Sequence, residues 1–546
     1  MAGANLFVFR ENAETVSGRE LGARLLRLLS EVRGENSSSI VDALLLAGEV
    51  ECALSDCGHA SAGEARQITD ILALQLVAGE DADQKQLQSL GAAIAEDLPE
   101  RLRVSPPEGF AYYALHPGDF ADAVDRLETP GLVGVVGIRS VGTTLSALSL
   151  AALKRRGINS SRITVRPRGH PYDRTTELQE DQVAWARELS RQGARFLVVD
   201  EGPGLSGSSF LSSAECLLRE GISADRITLL GTRNVDPSQL CATDASARWT
   251  KLGWRQVPSR ITRRFEGSIR LSGGLWRDLL LPNRDQQPAC WPEMDTVKYW
   301  SRDGHELFKF EGFGEAGRKV RERAGLLYNS GFSARAEDAD DGMVCYQFIR
   351  GRALAIESLS TQVLDRLAAY CAFRDKEFRA ACDANGSVEE MAFFNYREET
   401  GRELQVSQEL FRSDTPVICD GRMSAYEWIQ CVDGRLMKVD GCKDGDDHFL
   451  PGPTDIAWDL AGAIVEWNMD CDAAEYLLGK FRAKSGRSTE KVAAFVLAYS
   501  IFRASYCKMA WMGTGVEAEK PLLQSSYGFY RMKIEQAVQK LEGVAG

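Results

Sequence analysis

The sequence predicts an α/β protein of several domains: a helical N-terminal region, a doubly wound parallel sheet, and a C-terminal α+β part. Three observations predict it. The chain has 546 residues, too many for one ordinary core. From about 110 to 285, short apolar runs alternate with helical patterns, as in a parallel sheet covered on both faces. Beyond that stretch the alternation stops, and a few strand-like runs give way to long helical patterns.

Composition sets the outer bounds. A hydrophobic fraction of 44% and a charged fraction of 26% describe a soluble globular protein. The net charge of −13 argues against a surface that coats nucleic acid. No apolar run is long enough to span a bilayer, and MAGANLFVFRENAE lacks the pattern of a secretory signal. The 13 cysteines are scattered, without a CxxC pair, which fits reduced thiols and a cytoplasmic location. Small-molecule substrates are therefore expected rather than nucleic acid or membrane, and a homodimer is compatible with the pattern.

Residues 1–107 read as a helical accessory region, a lid or an oligomerisation element. Ser17 and Glu20 form a capping box, and Leu21, Leu25, Leu28 and Leu29 follow at helical spacing. VSPPEG, Val104–Gly109, is a linker candidate. The parallel-sheet domain is expected over 108–285. Its strands are Leu132–Gly137, Arg162–Val165, Phe196–Val199 and Arg226–Leu230, with helices over Thr144–Lys154 and Glu177–Gln192.

Three loops stand at the carboxyl ends of these strands, where such sheets bind ligands. GIRSVGTT, Gly137–Thr144, has small residues that let the backbone approach an anion, with Arg139 adding charge. RPRGHPYDR, Arg166–Arg174, is a basic loop suited to covering an anionic substrate. FLVVDEGPGLSGSSF, Phe196–Phe210, runs from strand through the acidic pair Asp200 and Glu201 into a Gly/Ser loop and a helix start. Its backbone N–H groups can hold a phosphate, and the carboxylates can accept from two sugar hydroxyls.

In this order the loops resemble the type I phosphoribosyltransferases, and GFAYYALHPGDF, Gly109–Phe120, is similar to a bacterial orotate-transferase-like subgroup. The departures are Gly202, Pro203 and Leu205, where branched apolar or small polar residues are usual. The resemblance implies phosphoribosyl pyrophosphate as donor and Mg²⁺ as cofactor. It implies that Asp200 and Glu201 grip the ribose hydroxyls and hold the metal, with Arg168 counted beside them as catalytic. Gly204, Leu205, Ser206, Gly207, Ser208 and Ser209 would hold the 5′-phosphate. Arg139, Ser140 and Gly142, with Arg166, His170 and Arg174, would hold the pyrophosphate. Trp254, Arg255, Arg260, Arg263 and Arg264 are candidates for the acceptor-recognising part.

Pro282–Pro292 marks the next boundary, so that 286–546 forms the last domain. Val297–Trp300 and Glu306–Phe310 read as strands joined by a turn, Gly317–Tyr328 as a helix, and Met343–Ile349 as a strand ending near Gly351. Long helical patterns run from about 358 to 381 and again towards the end. A small β-rich part, a strand ending in Gly and a helical part with spaced aspartates resemble the aminoglycoside-phosphotransferase-like branch of the protein kinase fold. The resemblance implies ATP. It makes Lys309 the phosphate-contacting lysine, Asp420 the catalytic carboxylate, Asp440 and Glu427 the metal ligands, and Asp459 a structural residue. The family's His-Gly-Asp with Asn five residues on is here Ile418-Cys419-Asp420 with Ala425. Asp444, Asp446 and Asp447 read as a solvated loop.

The leading expectation is thus a bifunctional, Mg²⁺-dependent phosphoribosyltransferase coupled to a kinase-like domain acting on the same small, nucleobase-like or specialised molecule. The alternative is a regulatory sugar-phosphate-binding protein on a degenerate kinase-like scaffold.

Overall fold

The computed structural model describes residues 6–10, 13–32, 37–79, 81–128, 131–281, 283–284, 287–380 and 387–545. The chain is mixed α/β and falls into two compact bodies. The first comprises Asn12–Glu266 and Gly312–Gly317. The second comprises Met1–Glu11, Gly267–Glu311 and Arg318–Gly546.

The first body is built on a five-stranded parallel sheet of β3 (Leu132–Ile138), β4 (Asn159–Val165), β7 (Arg195–Val199), β8 (Ile227–Gly231) and β9 (Gly253–Gln256). The spatial order is β4-β3-β7-β8-β9, every pairing parallel. Numbered within the sheet this is 2-1-3-4-5, a doubly wound order whose switch point lies between β3 and β7. The apolar runs are continuous because both faces are covered. Alternate residues serve opposite cores: Val133, Val135, Leu197, Val199 and Leu230 on one side, Val136, Ile138, Phe196, Val198 and Leu229 on the other. Gly134 faces Phe196, whose ring would crowd any side chain there.

The helices before residue 107 share the first of these cores. They are α1 (Gly18–Glu31), α2 (Ser37–Cys57), α3 (Ala62–Ala78) and α4 (Gln84–Asp97), and Leu44, Leu72 and Leu87 pack in one cluster with Leu148, Val135 and Val199. The expected division at 107/108 is corrected accordingly: these helices are a layer of the α/β body. The reason is ionic as well as apolar. Arg162 on β4 is fully buried, bonded by both arms to Glu51 of α2 at 2.8 Å and to Asp70 of α3 at 2.5 Å. The Ser17 cap holds, its Oγ accepting from the Glu20 amide. Arg101–Val104 (β2) pairs antiparallel with Glu14–Ser17 (β1), so the strand precedes the Pro-Pro step of the expected linker.

The remaining elements of this body are α5 (Glu108–Tyr112), α6 (Asp119–Asp125), α7 (Val141–Arg155), the hairpin of β5 (Arg168–His170) with β6 (Asp173–Thr175), α8 (Glu180–Arg191), α9 (Ser208–Arg219), α10 (Ala245–Trp249) and α11 (Arg260–Arg264).

After its N-terminal segment the second body resumes at Gly267, ahead of the expected 285/286 boundary; within Pro282–Pro292, residues 282, 285 and 286 lie outside the described residues. The boundary moves because β10 (Ile269–Arg270) pairs with β11 (Lys298–Trp300). These strands join β12 (Glu306–Phe310), β14 (Met343–Gln347) and β13 (Ala336–Asp338) in an antiparallel sheet of order β10-β11-β12-β14-β13. α12 (Trp276–Leu280) lies between β10 and β11, and α13 (Gly314–Asn329) follows β12. A second antiparallel sheet contains β15 (Gly351–Ala353), β16 (Trp428–Cys431) and β17 (Leu436–Lys438). The helices are α14 (Thr361–Glu377), α15 (Ser387–Thr400), α16 (Ala457–Glu466), α17 (Cys471–Ser485), α18 (Val492–Gly513) and α19 (Lys520–Ala545). They pack around Tyr370, Trp428, Trp458, Trp467 and Tyr499.

Candidate functional site

In the first body the acidic pair stands where β7 ends, at the switch point. Asp200 Oδ1 accepts from the Glu201 amide at 2.9 Å, and the Glu201 carboxylate packs on the backbone of Gly109 in α5. Both are partly exposed. Burial pushes Asp200 up to about 7 against the pull of Arg166 and Arg174. Burial pushes Glu201 up to about 8, with the neighbouring Asp200 charge adding to it.

The loop after β3 closes on this pair. Gly142 lies against the Val199 carbonyl, with Asp200 Oδ1 just beyond. Only a glycine permits that approach. Ser140 carries φ +99° immediately before α7, a strained backbone for a non-glycine residue at the mouth of a helix N-terminus. Gly207, at φ +69°, likewise opens α9, whose first residues are Ser208 and Ser209. The α7 N-terminus therefore stands against Asp200, and α9 opens seven residues after Glu201. Gly204 and Leu205 form the exposed tip of the Gly/Ser loop.

The basic hairpin lies on that loop. Ser206 Oγ and Ser208 Oγ both donate to the Pro171 carbonyl, at 2.7 and 2.6 Å. Arg168 and His170 on its strands are exposed, and Arg174 is half-buried with Nη1 on the Pro167 carbonyl.

Two expected pyrophosphate ligands are ion-paired within the fold. Arg139 and Arg166 both pair with Asp56 of α2: Arg139 Nη1 at 3.1 Å, Arg166 through Nε at 3.0 Å and through Nη2. Asp56 was missed in the sequence because it sits in the region read as accessory, with nothing local to mark it. Among the acceptor candidates, Trp254 packs on Phe210 and Trp249, at 5.9 and 5.2 Å between ring centres, so it belongs to the core. Arg260 and Arg263 pair with Asp122 of α6, which they hold at about 2. Arg255 remains exposed on β9.

In the second body a cavity of about 230 Å³ has one ionic wall and one apolar wall. The apolar wall includes Leu271, Trp276, Leu280, Phe348, Ile349 and Tyr506. On the ionic wall Lys309, 5% exposed, sits between Asp440, with which it forms an ion pair, and Glu311 at 3.4 Å. Lys298 pairs with Asp295 at 2.8 Å. Burial alone would raise Asp440, yet Lys309 and Lys298 hold it well below the usual carboxylate range. Asp440 has φ +61°, a left-handed non-glycine residue, and Gly441 behind it leaves no room for a side chain beside Tyr370.

Asp459 behaves as the sequence expected of a structural residue. Fully buried on α16, it accepts the Asp420 amide through both oxygens at 2.9 Å and lies 3.4 Å from Arg374. Burial raises it to about 6 despite that arginine.

Asp420 and Glu427 are corrected. Asp420 is 1% exposed and does not line the cavity; Tyr370 donates to it at 2.5 Å and Lys438 lies 3.1 Å away. Glu427 does line the cavity, but its Oε2 accepts from Lys438 at 2.8 Å. Lys438 was overlooked because KVDG drew attention to the aspartate. Asp446, read as solvated, pairs with Arg323 at 3.2 Å, and Asp447 lines the cavity.

Among the described residues no three His, Cys, Asp or Glu side chains gather as a ready-made metal site. Asp200 with Glu201 fits a hard cation completed by ligand oxygens. Asp440 fits as well, facing the cavity with its side chain 27% exposed. Glu427 does not fit.

No protein-family model and no curated protein sequence matches the chain. Solved structures similar to part of it include choline kinase LicA from Streptococcus pneumoniae, 13% identical, covering 44% of this chain and 89% of that one, TM-score 0.31. An ethanolamine kinase from Plasmodium vivax is 12% identical over 44% and 79%, TM-score 0.30. The macrolide 2′-phosphotransferase MphH from Brachybacterium faecium is 13% identical over 43% and 88%, TM-score 0.30. Similarities at this level assign no function to the chain. No helix among the described residues is long and apolar enough to cross a membrane.

Proposed function

We propose that the first body is a Mg²⁺-dependent phosphoribosyltransferase and the second a nucleotide-dependent phosphotransferase, working on one small molecule. The observation that carries this is the junction at β7. An acidic pair, followed by a Gly/Ser loop and a helix N-terminus, stands at the switch point of a 2-1-3-4-5 parallel sheet.

Asp200 and Glu201 accept the ribose 2- and 3-hydroxyls, and the α9 N-terminus holds the 5′-phosphate. The acceptor's nucleophilic atom bonds to C1 as the C1–oxygen bond to pyrophosphate breaks. Pyrophosphate leaves, and the acceptor's proton passes to solvent. The sugar becomes oxocarbenium-like, so positioning and neutralisation of the leaving group carry the catalysis. A bound Mg²⁺ would neutralise pyrophosphate oxygens. The hairpin with Arg168, His170 and Arg174 excludes water and adds positive charge.

In the second body Lys309 and Lys298 suit a nucleotide's phosphates, Asp440 its metal ion, and the apolar wall its base. Product analysis tests both halves. The full chain, given phosphoribosyl pyrophosphate, ATP, Mg²⁺ and a panel of nucleobase-like acceptors, is expected to release pyrophosphate and ADP. Tight donor binding with no pyrophosphate release under any acceptor would favour a regulatory sugar-phosphate sensor instead.

A further inference from the structure

Arg503 stands on α18 with 9% of its surface exposed and lines the cavity together with Phe502 and Tyr506. Its Nε is engaged behind the cavity wall: it donates to the Tyr530 hydroxyl at 3.2 Å and lies 3.5 Å from Glu466 Oε1. Glu466 does not line the cavity, and its Oε1 accepts from the Tyr499 and Tyr530 hydroxyls at 2.7 and 2.8 Å. The guanidinium carbon lies 5.2 Å from the ring centres of both Tyr506 and Tyr530. That leaves the two Nη atoms. Among the described residues neither has a hydrogen-bond acceptor, and neither is sealed from solvent. The lysines of the cavity are placed differently. Lys298, Lys309 and Lys438 each pair with a carboxylate of the wall itself, Asp295, Asp440 and Glu427. Arg503 keeps its carboxylate behind the wall and its Nη–H bonds in front.

We propose that Arg503 recognises the acceptor of the phosphotransfer site, and that this acceptor carries an oxyanionic group, a phosphate monoester or a carboxylate, seated on the two Nη atoms. The inference rests on the phosphotransfer reading above. Parallel N–H donors on a planar fork match two oxygens borne by one phosphorus or one carbon. A neutral carbonyl offers the fork a single oxygen, and a cation offers none. Buried donors left without an acceptor are costly, so the fork selects for the oxyanion. On the reading that both bodies serve one molecule, the 5′-phosphate that the first body would deliver is the fitting group, which puts ribosylation before phosphorylation. An acceptor hydroxyl then bonds to the γ-phosphorus as its bond to the bridging oxygen breaks. ADP leaves, and the hydroxyl proton passes to solvent.

The test is isothermal titration of the full chain with Mg²⁺ and a non-hydrolysable ATP analogue already bound. The probes are ribose 5-phosphate and acetate, each set against its neutral counterpart, ribose and acetamide. Arg503→Lys keeps the charge and removes the fork. Should it fail to fold, Arg503→Gln with Glu466→Gln removes the ion pair as a whole. The expected result is an oxyanion site in the wild type that the variant weakens by about tenfold or more, with affinity for the analogue held within about twofold. Preference for ribose 5-phosphate at that site assigns a phosphate ester, and preference for acetate a carboxylate; a phosphate site that survives beside it belongs to the first body. Three results would overturn the proposal and leave the phosphotransfer reading standing: a neutral probe that binds as tightly as its charged counterpart, no oxyanion site sensitive to Arg503, or a loss of analogue affinity in the folded variant. Failure of the analogue to bind the wild type would overturn that reading, and this proposal with it.

Discussion

Arg162 and Glu51 meet as a two-pronged pair, Nη1 to Oε1 and Nη2 to Oε2, both at 2.8 Å, with both side chains buried in the first body. The pair fastens α2 to β4. Cutting one partner strands a buried charge, so Arg162→Met is expected to cost about 3–5 kcal/mol. Arg162→Met with Glu51→Met and Asp70→Leu should recover much of that loss, since apolar replacements of a whole buried ion group are often neutral. Chemical denaturation of the full chain checks both. A single variant no less stable than the wild type would mean that the helical layer is not anchored through Arg162.

The raised carboxyls predict a pH dependence. Glu201 rests near 8 and Asp200 near 7 for want of solvation, so the protonated forms suit the folded, unliganded site. A cation must displace those protons. Affinity for Mg²⁺ with phosphoribosyl pyrophosphate should therefore rise between pH 6 and pH 8.5, and the rise should vanish in Asp200→Asn with Glu201→Gln. The linked effect on stability runs the other way. Stability contributed by these groups is present below the ordinary carboxylate range and is lost as pH rises through about 7 and about 8. Calorimetric titration at several pH values reads the first effect, and thermal melts read the second.

The latch between the hairpin and the Gly/Ser loop consists of two hydroxyl bonds to one carbonyl, Pro171. Each such bond is worth about 1 kcal/mol. Ser206→Ala with Ser208→Ala should speed amide exchange across the 168–175 hairpin by roughly thirtyfold, as seen by mass spectrometry. Unchanged exchange would show that the hairpin is held by other contacts.

Asp56 pairs with both Arg139 and Arg166, so under the proposed function a pyrophosphate would compete with it for them. Asp56→Asn weakens that hold and should tighten inorganic pyrophosphate binding by about tenfold, corresponding to about 1.4 kcal/mol. Weaker pyrophosphate binding in this variant would mean that Asp56 instead orients the arginines for the ligand.

Much of the first body could be read from its sequence because its signals are local. The strands carry continuous apolar runs, and the acidic pair, the Gly/Ser loop and the helix start are neighbours in the chain. What the sequence hid was long-range pairing. Glu51 and Asp56 lie more than 80 residues from the arginines they meet, and no spacing rule links them. The same holds in the second body. Lys309, Asp440 and Asp459 were singled out through a family resemblance, and only the fold shows that Lys309 pairs with Asp440 and that Asp459 accepts the Asp420 amide. The fate of Asp420 and Glu427 depended on Lys438, a lysine on a short strand that any exposed edge could have carried.

The proposed binding of phosphoribosyl pyrophosphate at Asp200 and Glu201 can be measured without knowing the acceptor. Isothermal titration of the full chain with phosphoribosyl pyrophosphate and Mg²⁺ at pH 8 is predicted to give one site, weakened at least tenfold by Asp200→Asn with Glu201→Gln and unaffected by Lys309→Met. Equal affinity in the wild type and in the Asp200–Glu201 variant, or no binding in either, would contradict it.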